Sequence, residues 1–263
     1  MLGAIAGDII GSVYERSAIK QKDFPLFVKE STFTDDTVLT VAIAEAILQG
    51  GDYGETLKRY ARKYIEGGYG ERFKQWAISD SMAPYNSWGN GSAMRVSAVG
   101  FAYDDMSTVL EVAKQTAEVT HNHPEGIKGA QATAAAILLA KKGNRKSAIK
   151  AFVESKFGYD LGRSLKDIRS TYSFKASCQK TVPESIVAFL ESTDFEDAIR
   201  NTISLGGDAD TMGSITGGIA EAFYGGVPDE IVQEVLVRLD EPLKDTALRF
   251  CDRYTQPYPL FSA

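Results

Sequence analysis

Two short acidic motifs contain the residue types in this sequence that are best suited to chemistry. One is residues 34–37 (TDDT) and the other is residues 207–211 (GDADT). Apolar residues recur at three- and four-residue steps after each motif, so each is predicted to lie at a helix N-terminus. Capping is one explanation of either motif alone, because threonine and aspartate side chains accept hydrogen bonds from the free N–H groups there and the helix dipole favours negative charge.

Taken together, the two motifs favour a metal site. They supply four carboxylates, and carboxylates gathered at one place need a cation or must take up protons. Oxygen donors without cysteine or histidine select hard ions such as Mg²⁺, Mn²⁺ or Ca²⁺ over zinc. Such carboxylates can bridge two ions about 3.5–4 Å apart, as in two-metal hydrolytic sites. The pairing therefore indicates a metal-dependent hydrolase, while capping stays open for each motif alone.

Two other segments contain candidate binding residues. Residues 86–92 (NSWGNGS) are suited to bringing backbone N–H groups close to phosphate oxygens, although they lack the lysine of a P-loop. An ordinary surface turn around a half-buried Trp88 is the alternative. His121 and His123, the two histidines of the chain, lack the further partners that zinc needs, and hydrogen-bonded structural histidines are the alternative. For Arg95 we expect a structural role.

The elements that must position these residues are predicted to be helices. Apolar residues follow helical spacing over residues 38–48, and no convincing run of alternating β-branched residues occurs. The pattern predicts an all-α single domain of about ten or more helices. Further helical segments are predicted near residues 54–66, 107–119, 125–142, 146–156, 183–191, 194–204, 212–224 and 228–239.

Small residues at four-residue intervals indicate that two of the helices touch closely. Gly3, Gly7 and Gly11 form one such series, and Gly213 and Gly217 form the other. Glycine costs a helix roughly 1 kcal/mol relative to alanine, so its repeated use on one face indicates close backbone contact. Flexible loops are the alternative. We predict two central helices packed against each other.

Composition limits the class of protein. With 263 residues, 44 % of them hydrophobic, the chain can bury one large core. A net charge of −6 argues against general binding to nucleic acid or anionic membranes, and no segment approaches the roughly 20 apolar residues of a membrane span. The first residues lack the basic segment of a signal sequence. Only Cys178 and Cys251 are cysteines, which indicates packed thiols in a reducing compartment. We expect a cytoplasmic monomer.

Five motifs along the chain resemble those of the ADP-ribosylglycohydrolases, a family that includes the dinitrogenase reductase-activating glycohydrolases. Besides the two acidic motifs, they are residues 3–8 (GAIAGD) with 14–15 (YE), residues 89–95 (GNGSAMR) and residues 120–124 (THNHP). The motifs stand in family order, and the resemblance covers nearly the whole chain. It implies one compact orthogonal helical domain over residues 1–263, with a dinuclear metal site at helix N-termini.

The resemblance also implies a set of metal ligands for two divalent cations, Mg²⁺ or Mn²⁺. The first ion would take Thr34, Asp35, Asp36 and Asp210, and the second Asp208, Asp210 and Thr211, so that Asp210 bridges. Glu15 matches a glutamate that lies beside the metals, although a solvated helix end is its alternative explanation. Catalytic roles fall to Asp35 or Asp36 as base toward water and to Glu15 as acid toward the leaving group.

By the same resemblance, the substrate is an ADP-ribosyl group. Residues 86–92 would cradle the diphosphate, Trp88 would stack on the adenine and His121 would donate a hydrogen bond to the ADP-ribose. The implied substrate-binding residues are Asn86, Ser87, Trp88, Asn90, Gly91, Ser92 and His121.

The implied reaction is hydrolysis of the bond between the terminal ribose and an acceptor such as an arginine or serine side chain. The substrate would be an ADP-ribosylated protein or a small ADP-ribosyl conjugate. One alternative is a protein of this fold that binds ADP-ribose and metal, or only serves a structural role, without turnover; the presence of all six candidate ligands argues against it. Another is a helical metal-dependent phosphohydrolase, which would usually have His-Asp pairs that this sequence lacks.

Overall fold

The computed structural model describes residues 1–255, and their regular secondary structure is helical. In chain order the helices are α1 (Leu2–Gly11), α2 (Asp35–Gln49), α3 (Tyr53–Lys63), α4 (Glu71–Ile78), α5 (Gly91–Met94), α6 (Ser97–Ala102), α7 (Met106–Glu118), α8 (Pro124–Lys141), α9 (Lys146–Phe157), α10 (Leu165–Thr171), α11 (Cys178–Leu190), α12 (Phe195–Ile203), α13 (Ala209–Tyr224), α14 (Asp229–Arg238) and α15 (Glu241–Tyr254). Among these residues the β-structure is one isolated bridge between Gly89 and Ser177. The predicted all-α fold is confirmed, and the last eight residues of the predicted domain lie outside the described part.

Helices α1 and α13 form the centre of the fold and touch backbone to backbone. A Cβ atom on Gly7 would lie 2.0 Å from the carbonyl oxygen of Gly213, and one on Gly3 would lie 2.4 Å from that of Gly217. Real side chains do not fit at such distances, so only glycine allows this approach. The predicted pair of closely packed central helices is therefore present, and every residue of α1 is buried.

The N-termini of α2 and α13 carry the two acidic motifs. Thr34 is the N-cap of α2, and its side chain accepts a hydrogen bond from the backbone N–H of Asp36. Asp208 is the N-cap of α13, but its side chain makes no capping hydrogen bond. Capping therefore explains Thr34 but does not explain the carboxylate of Asp208.

The eight further segments predicted as helices correspond to α3, α7, α8, α9, α11, α12, α13 and α14. The largest difference is at α11, which begins five residues before the predicted start, so that Pro183 lies inside the helix and not at its first position. Helices α4, α5, α6, α10 and α15 were missed. Cys178 and Cys251 are buried free thiols, as predicted. Within residues 1–255, no helix has the length and apolar character needed to cross a membrane.

Candidate active site

A cavity of about 450 Å³ opens where α2 and α13 begin. Acidic side chains from both helices form its floor, and the segment Gly89–Gly91 forms one wall together with His121. Tyr85 and the half-exposed ring of Phe174 also line it. The cavity is therefore bounded by carboxylates at one side and by backbone and aromatic groups at the other.

The floor contains two groups of carboxylates that share one residue. In the first group, oxygens of Asp8, Asp36 and Asp210 lie within 4.8 Å of one another. In the second group, the same holds for oxygens of Glu15, Asp208 and Asp210. Asp210 thus stands between two sets of oxygen donors, the arrangement that a pair of bridged cations requires.

Asp8 holds the start of α2 in place from the neighbouring helix. Its Oδ1 accepts a 2.7 Å hydrogen bond from the Thr34 hydroxyl, and its Oδ2 accepts from the backbone N–H groups of Thr34 at 3.0 Å and Thr37 at 2.9 Å. The Asp8 side chain is completely buried. It therefore fixes the turn from which Asp36 reaches the floor.

Burial and mutual repulsion make these carboxyl groups hard to ionise. Burial, and then the charge of Asp210, raise the pKa of Asp8 to about 7. The same two causes, in the same order, raise the pKa values of Asp35, Asp36 and Asp208 well above the ordinary range. A site of this kind holds protons or a compensating cation.

The donor atoms fit hard divalent cations. Oδ1 of Asp36 is buried and has no hydrogen-bond partner among the described residues, a costly state for a carboxylate oxygen unless a cation or a proton reaches it. The donors are carboxylate and hydroxyl oxygens, which suit Mg²⁺ or Mn²⁺. The residues present therefore fit the pair of ions expected from the sequence.

All seven residues expected to bind metal or carry out catalysis line the cavity; they are Glu15, Thr34, Asp35, Asp36, Asp208, Asp210 and Thr211. Glu15 is half-buried beyond the end of α1. Burial, and then the charge of Asp210, raise its pKa, against a smaller opposing effect of Arg16. This arrangement gives the carboxyl group of Glu15 a greater tendency to hold a proton than a solvated glutamate has.

Four of the expected substrate-binding residues line the cavity; they are Ser87, Asn90, Gly91 and His121. The Asn90 amide donates to Oδ2 of Asp208 at 2.8 Å, which connects the wall to the floor. Its backbone N–H donates to the carbonyl oxygen of Ala176 at 2.9 Å, and the Cys178 thiol donates to that of Gly89 at 3.1 Å. The segment that leads into α11 thus holds the glycine-rich wall.

Asn86, Trp88 and Ser92 are placed outside the cavity lining. Ser92 is fully buried, and its hydroxyl donates to the carbonyl oxygen of Gly126 at 2.7 Å, so it supports the wall from behind. The Trp88 ring is 49 % exposed and packs edge-on against His123. Asn86 has a positive φ of 53°, and its backbone N–H donates to Asn122. Their roles in substrate binding stay predictions.

Sequence reasoning gave no role in the site to Asp8, Tyr85 or Phe174, and for Arg95 it expected a structural role. Asp8 interrupts an otherwise apolar helix, a signal of a buried polar contact that was available from its position. Tyr85, Phe174 and Arg95 line the cavity, but they come from separate loops and helix ends. No spacing rule connects such residues before the chain is folded.

The fold and the site define an all-α protein with an acidic floor suited to divalent cations. Comparison with known proteins gives the family: the model of the ADP-ribosylglycohydrolase family matches residues 1–259. The chain belongs to the ADP-ribosylglycohydrolase family, as the sequence motifs predicted. Membership supports hydrolase activity on ADP-ribosyl groups in general.

Individual relatives agree with this family. The chain is 26 % identical to ADP-ribosylhydrolase ARH3 of Gallus gallus, covering 86 % of this chain and 84 % of the relative. It is 24 % identical to the ADP-ribosylarginine hydrolase Tri1 of Pseudomonas putida, covering 89 % and 72 % respectively. The match to a solved structure, an ADP-ribosylglycohydrolase-related protein complex, covers 96 % of this chain and 95 % of the chain in that structure, with a TM-score of 0.72 and 26 % identity.

Proposed function

We propose that this chain is a divalent-metal-dependent hydrolase that releases ADP-ribose from an acceptor. Water would cleave the glycosidic bond between the terminal ribose and the acceptor atom. The observation that best supports this proposal is the position of Asp210, shared by two groups of buried oxygen donors at the floor of the cavity. The cavity volume of about 450 Å³ is also that of a small-molecule site.

In this proposal the floor binds two Mg²⁺ or Mn²⁺ ions. The group around Asp36 and the group around Asp208 would each hold one ion, and Asp210 would contact both. Asp35, Thr34 and Thr211 line the same floor and complete the proposed ligand set. Bound there, the cations would supply Lewis acidity toward sugar hydroxyls and water.

The chain's own carboxyl groups would move the protons. Asp35 or Asp36 would accept a proton from the attacking water. Glu15, whose pKa is raised mainly by burial, would give a proton to the acceptor atom as its bond to the ribose breaks. The carboxylates around the floor would stabilise positive charge that develops at the anomeric carbon.

The wall would bind the ADP part of the substrate. The backbone N–H of Gly91, with Ser87 and His121, lies along one side of the cavity and suits a phosphate oxygen. The N–H groups of Gly89 and Asn90 instead hold the shape of the wall, because they donate to the Ser87 hydroxyl and to the carbonyl oxygen of Ala176. Asn86 and Ser92 shape this segment, and the exposed ring of Trp88 is proposed to stack on the adenine. The ribose would then extend from the wall to the acidic floor.

The proposed acceptor is an arginine or serine side chain of a protein, or another ADP-ribosyl conjugate. Two of the relatives carry names that differ here, since Tri1 is an ADP-ribosylarginine hydrolase whereas ARH3 is named only as an ADP-ribosylhydrolase. Glu71, Arg16 and Arg72 lie at the cavity edge on exposed positions. In this proposal these three side chains would distinguish one kind of acceptor from another.

The test is a panel of ADP-ribosylated substrates assayed for free ADP-ribose. Peptides with ADP-ribosyl-arginine or ADP-ribosyl-serine, poly-ADP-ribose and O-acetyl-ADP-ribose would each be incubated with Mg²⁺, Mn²⁺ or EDTA. We expect release from at least one substrate with metal and none with EDTA. Binding of ADP-ribose without its release from any substrate would indicate the alternative of a protein that binds the ligand without turnover. If the folded, metal-treated protein neither bound ADP-ribose nor released it, the proposal would be refuted.

A further inference from the structure

A buried arginine at the cavity is connected to His121 through one threonine hydroxyl. Arg95 is completely buried, and its Nη2 donates to the carbonyl oxygen of Thr116 at 3.0 Å and to Oγ1 of Thr120 at 2.8 Å. The same Oγ1 lies 2.7 Å from Nδ1 of His121. The guanidinium group of Arg95 and the imidazole ring of His121 therefore meet at one hydroxyl group.

The chemistry of these groups sets the direction of the hydrogen bonds. A guanidinium group only donates, so the Thr120 oxygen accepts from Arg95. The Thr120 hydroxyl still has its own single proton, which it can donate to Nδ1 of His121, 2.7 Å away. We propose that Arg95 and Thr120 are positioning residues that hold His121 as the neutral tautomer with its proton on Nε2.

Nε2 of His121, the nitrogen that carries the proton in this tautomer, lies beside the glycine segment Gly89–Gly91 at the cavity. A Cβ atom on Gly91 would lie 3.2 Å from Nε2 of His121, and one on Gly89 would lie 3.5 Å from it. His121 is 5 % exposed and lines the cavity. No hydrogen bond to Nε2 exists within residues 1–255. Its N–H is thus a donor directed at the place where an acceptor oxygen of a ligand would lie beside the glycine segment.

The surroundings of the ring keep it neutral. Burial, followed by the charges of Arg95 and Arg72, holds the pKa of His121 well below its ordinary range. A neutral imidazole has one donor and one acceptor nitrogen, so the tautomer decides which of them faces the cavity. The other tautomer would point a lone pair at the phosphate or sugar oxygens. Arg95 would therefore act on the ligand through Thr120 and His121.

The identity of the ligand rests on the proposed function, whereas the tautomer of His121 can be tested without it. Thr120→Val removes the hydroxyl while keeping the shape of the side chain, and Thr120→Ser restores it. Thr116→Val is a matched control, because Thr116, in the last turn of α7, is buried as Thr120 is, and its hydroxyl donates to the carbonyl oxygen of Ala113 and not to His121. His123→Asn keeps a capping side chain at the start of α8 and leaves His121 as the single histidine.

The experiment measures the ring nitrogens of His121 by ¹⁵N nuclear magnetic resonance in the His123→Asn protein, and ADP-ribose affinity by calorimetry. We expect the Nε2–H tautomer in the parent, in Thr120→Ser and in Thr116→Val. Thr120→Val should lose this fixed tautomer and bind ADP-ribose about tenfold more weakly, the usual effect of one lost hydrogen bond.

Two results would overturn the inference: an Nδ1–H tautomer in the parent protein, or an unchanged Nε2–H tautomer in folded Thr120→Val. Either can occur in a protein that still hydrolyses ADP-ribosyl substrates. Conversely, a parent protein that neither binds ADP-ribose nor releases it would refute the proposed function, and the resonance measurement would still decide the tautomer. The two failures are therefore separate.

Discussion

Asp8 of α1 accepts a hydrogen bond of 2.7 Å from the hydroxyl of Thr34, the N-cap of α2, across a sequence separation of 26 residues. The same carboxylate also accepts from the backbone N–H of Thr37. The first helix therefore sets the geometry of the first acidic motif. Any substitution of Asp8 should therefore alter the positions of the carboxylates at the floor of the cavity through this turn.

Asp8→Asn should weaken metal binding while leaving most of the fold intact. Asparagine keeps the size of the side chain, but its NH₂ group cannot accept one of the hydrogen bonds from Thr34 or Thr37. Residues that support metal ligands typically change affinity by about 10–100-fold, and we expect a loss of Mn²⁺ affinity in that range by calorimetry. Asp105→Asn, at the exposed N-cap of α7, is the control. Equal affinity in both variants would contradict the role of Asp8.

Asp210→Asn should have a larger effect than Asp36→Asn. Both changes remove a carboxylate from the floor, so we expect both to abolish detectable release of ADP-ribose. Asp210 belongs to both groups of donors, whereas Asp36 belongs to one, so Asp210→Asn should remove binding at both proposed metal positions. Calorimetric titration with Mn²⁺ would count the remaining sites. Activity retained in either folded variant would show that the ligand assignment is wrong.

The stabilisation by metal should grow as the pH rises. The pKa of Asp8 is raised from 3.8 to about 7 in the metal-free protein, so the folded state holds its proton more tightly than the unfolded chain does. Its contribution to stability is therefore present at low pH and is lost as the pH rises toward 7. Asp35, Asp36 and Asp208 share the direction of this shift.

Bound cations favour the ionised carboxylates and should remove most of this loss of stability at higher pH. We expect the difference in Tm between Mg²⁺-treated and EDTA-treated protein to be larger at about pH 8 than at about pH 5.5. Differential scanning fluorimetry at the two pH values measures it, with Asp210→Asn as the control in which the difference should shrink. A difference that is larger at the lower pH would contradict the expectation.

The parts that the sequence predicted correctly depend on local patterns. The TDDT and GDADT motifs stand before apolar helical spacing, and the glycine series in α1 and α13 indicated close contact that the structure shows. Helix α15 was missed although Asp240 caps it, Pro242 lies in its first turn and its buried Leu243, Ala247 and Phe250 follow helical spacing. Local signals thus located most helices.

The parts that the sequence did not predict depend on contacts between distant residues. In the sequence alone Asp8 is an isolated acid, and its contact with the start of α2 becomes evident only when α1 lies beside that helix. Ser92 belongs to a motif suited to phosphate, but its hydroxyl is turned to Gly126 behind the wall. Phe174 reaches the cavity because the bridge between Gly89 and Ser177 holds its segment there. Such relations need the folded backbone.

The contact between α1 and α13 gives a stability prediction that is independent of metal and substrate. In Gly7→Ala, the new methyl group would lie 2.0 Å from the carbonyl oxygen of Gly213 and 2.8 Å from the backbone nitrogen of Ser214. Backbone atoms on both sides cannot yield as a flexible side chain would, so the helices must separate. Overpacking of this kind typically costs 1–3 kcal/mol, and we expect a loss of about 3 kcal/mol in the free energy of unfolding.

Gly51→Ala is the matched control for this change. A Cβ atom at Gly51 would meet its nearest neighbour, the Thr56 hydroxyl oxygen, at 3.7 Å, which is an ordinary contact. Urea denaturation followed by circular dichroism should therefore show a small change for Gly51→Ala and a large loss, or failure to fold, for Gly7→Ala. Because Asp8 and the start of α13 extend from this contact to the acidic floor, a folded Gly7→Ala protein should also bind Mn²⁺ more weakly. Near-equal stability of the two variants would mean that α1 and α13 are not held as closely as the structure shows.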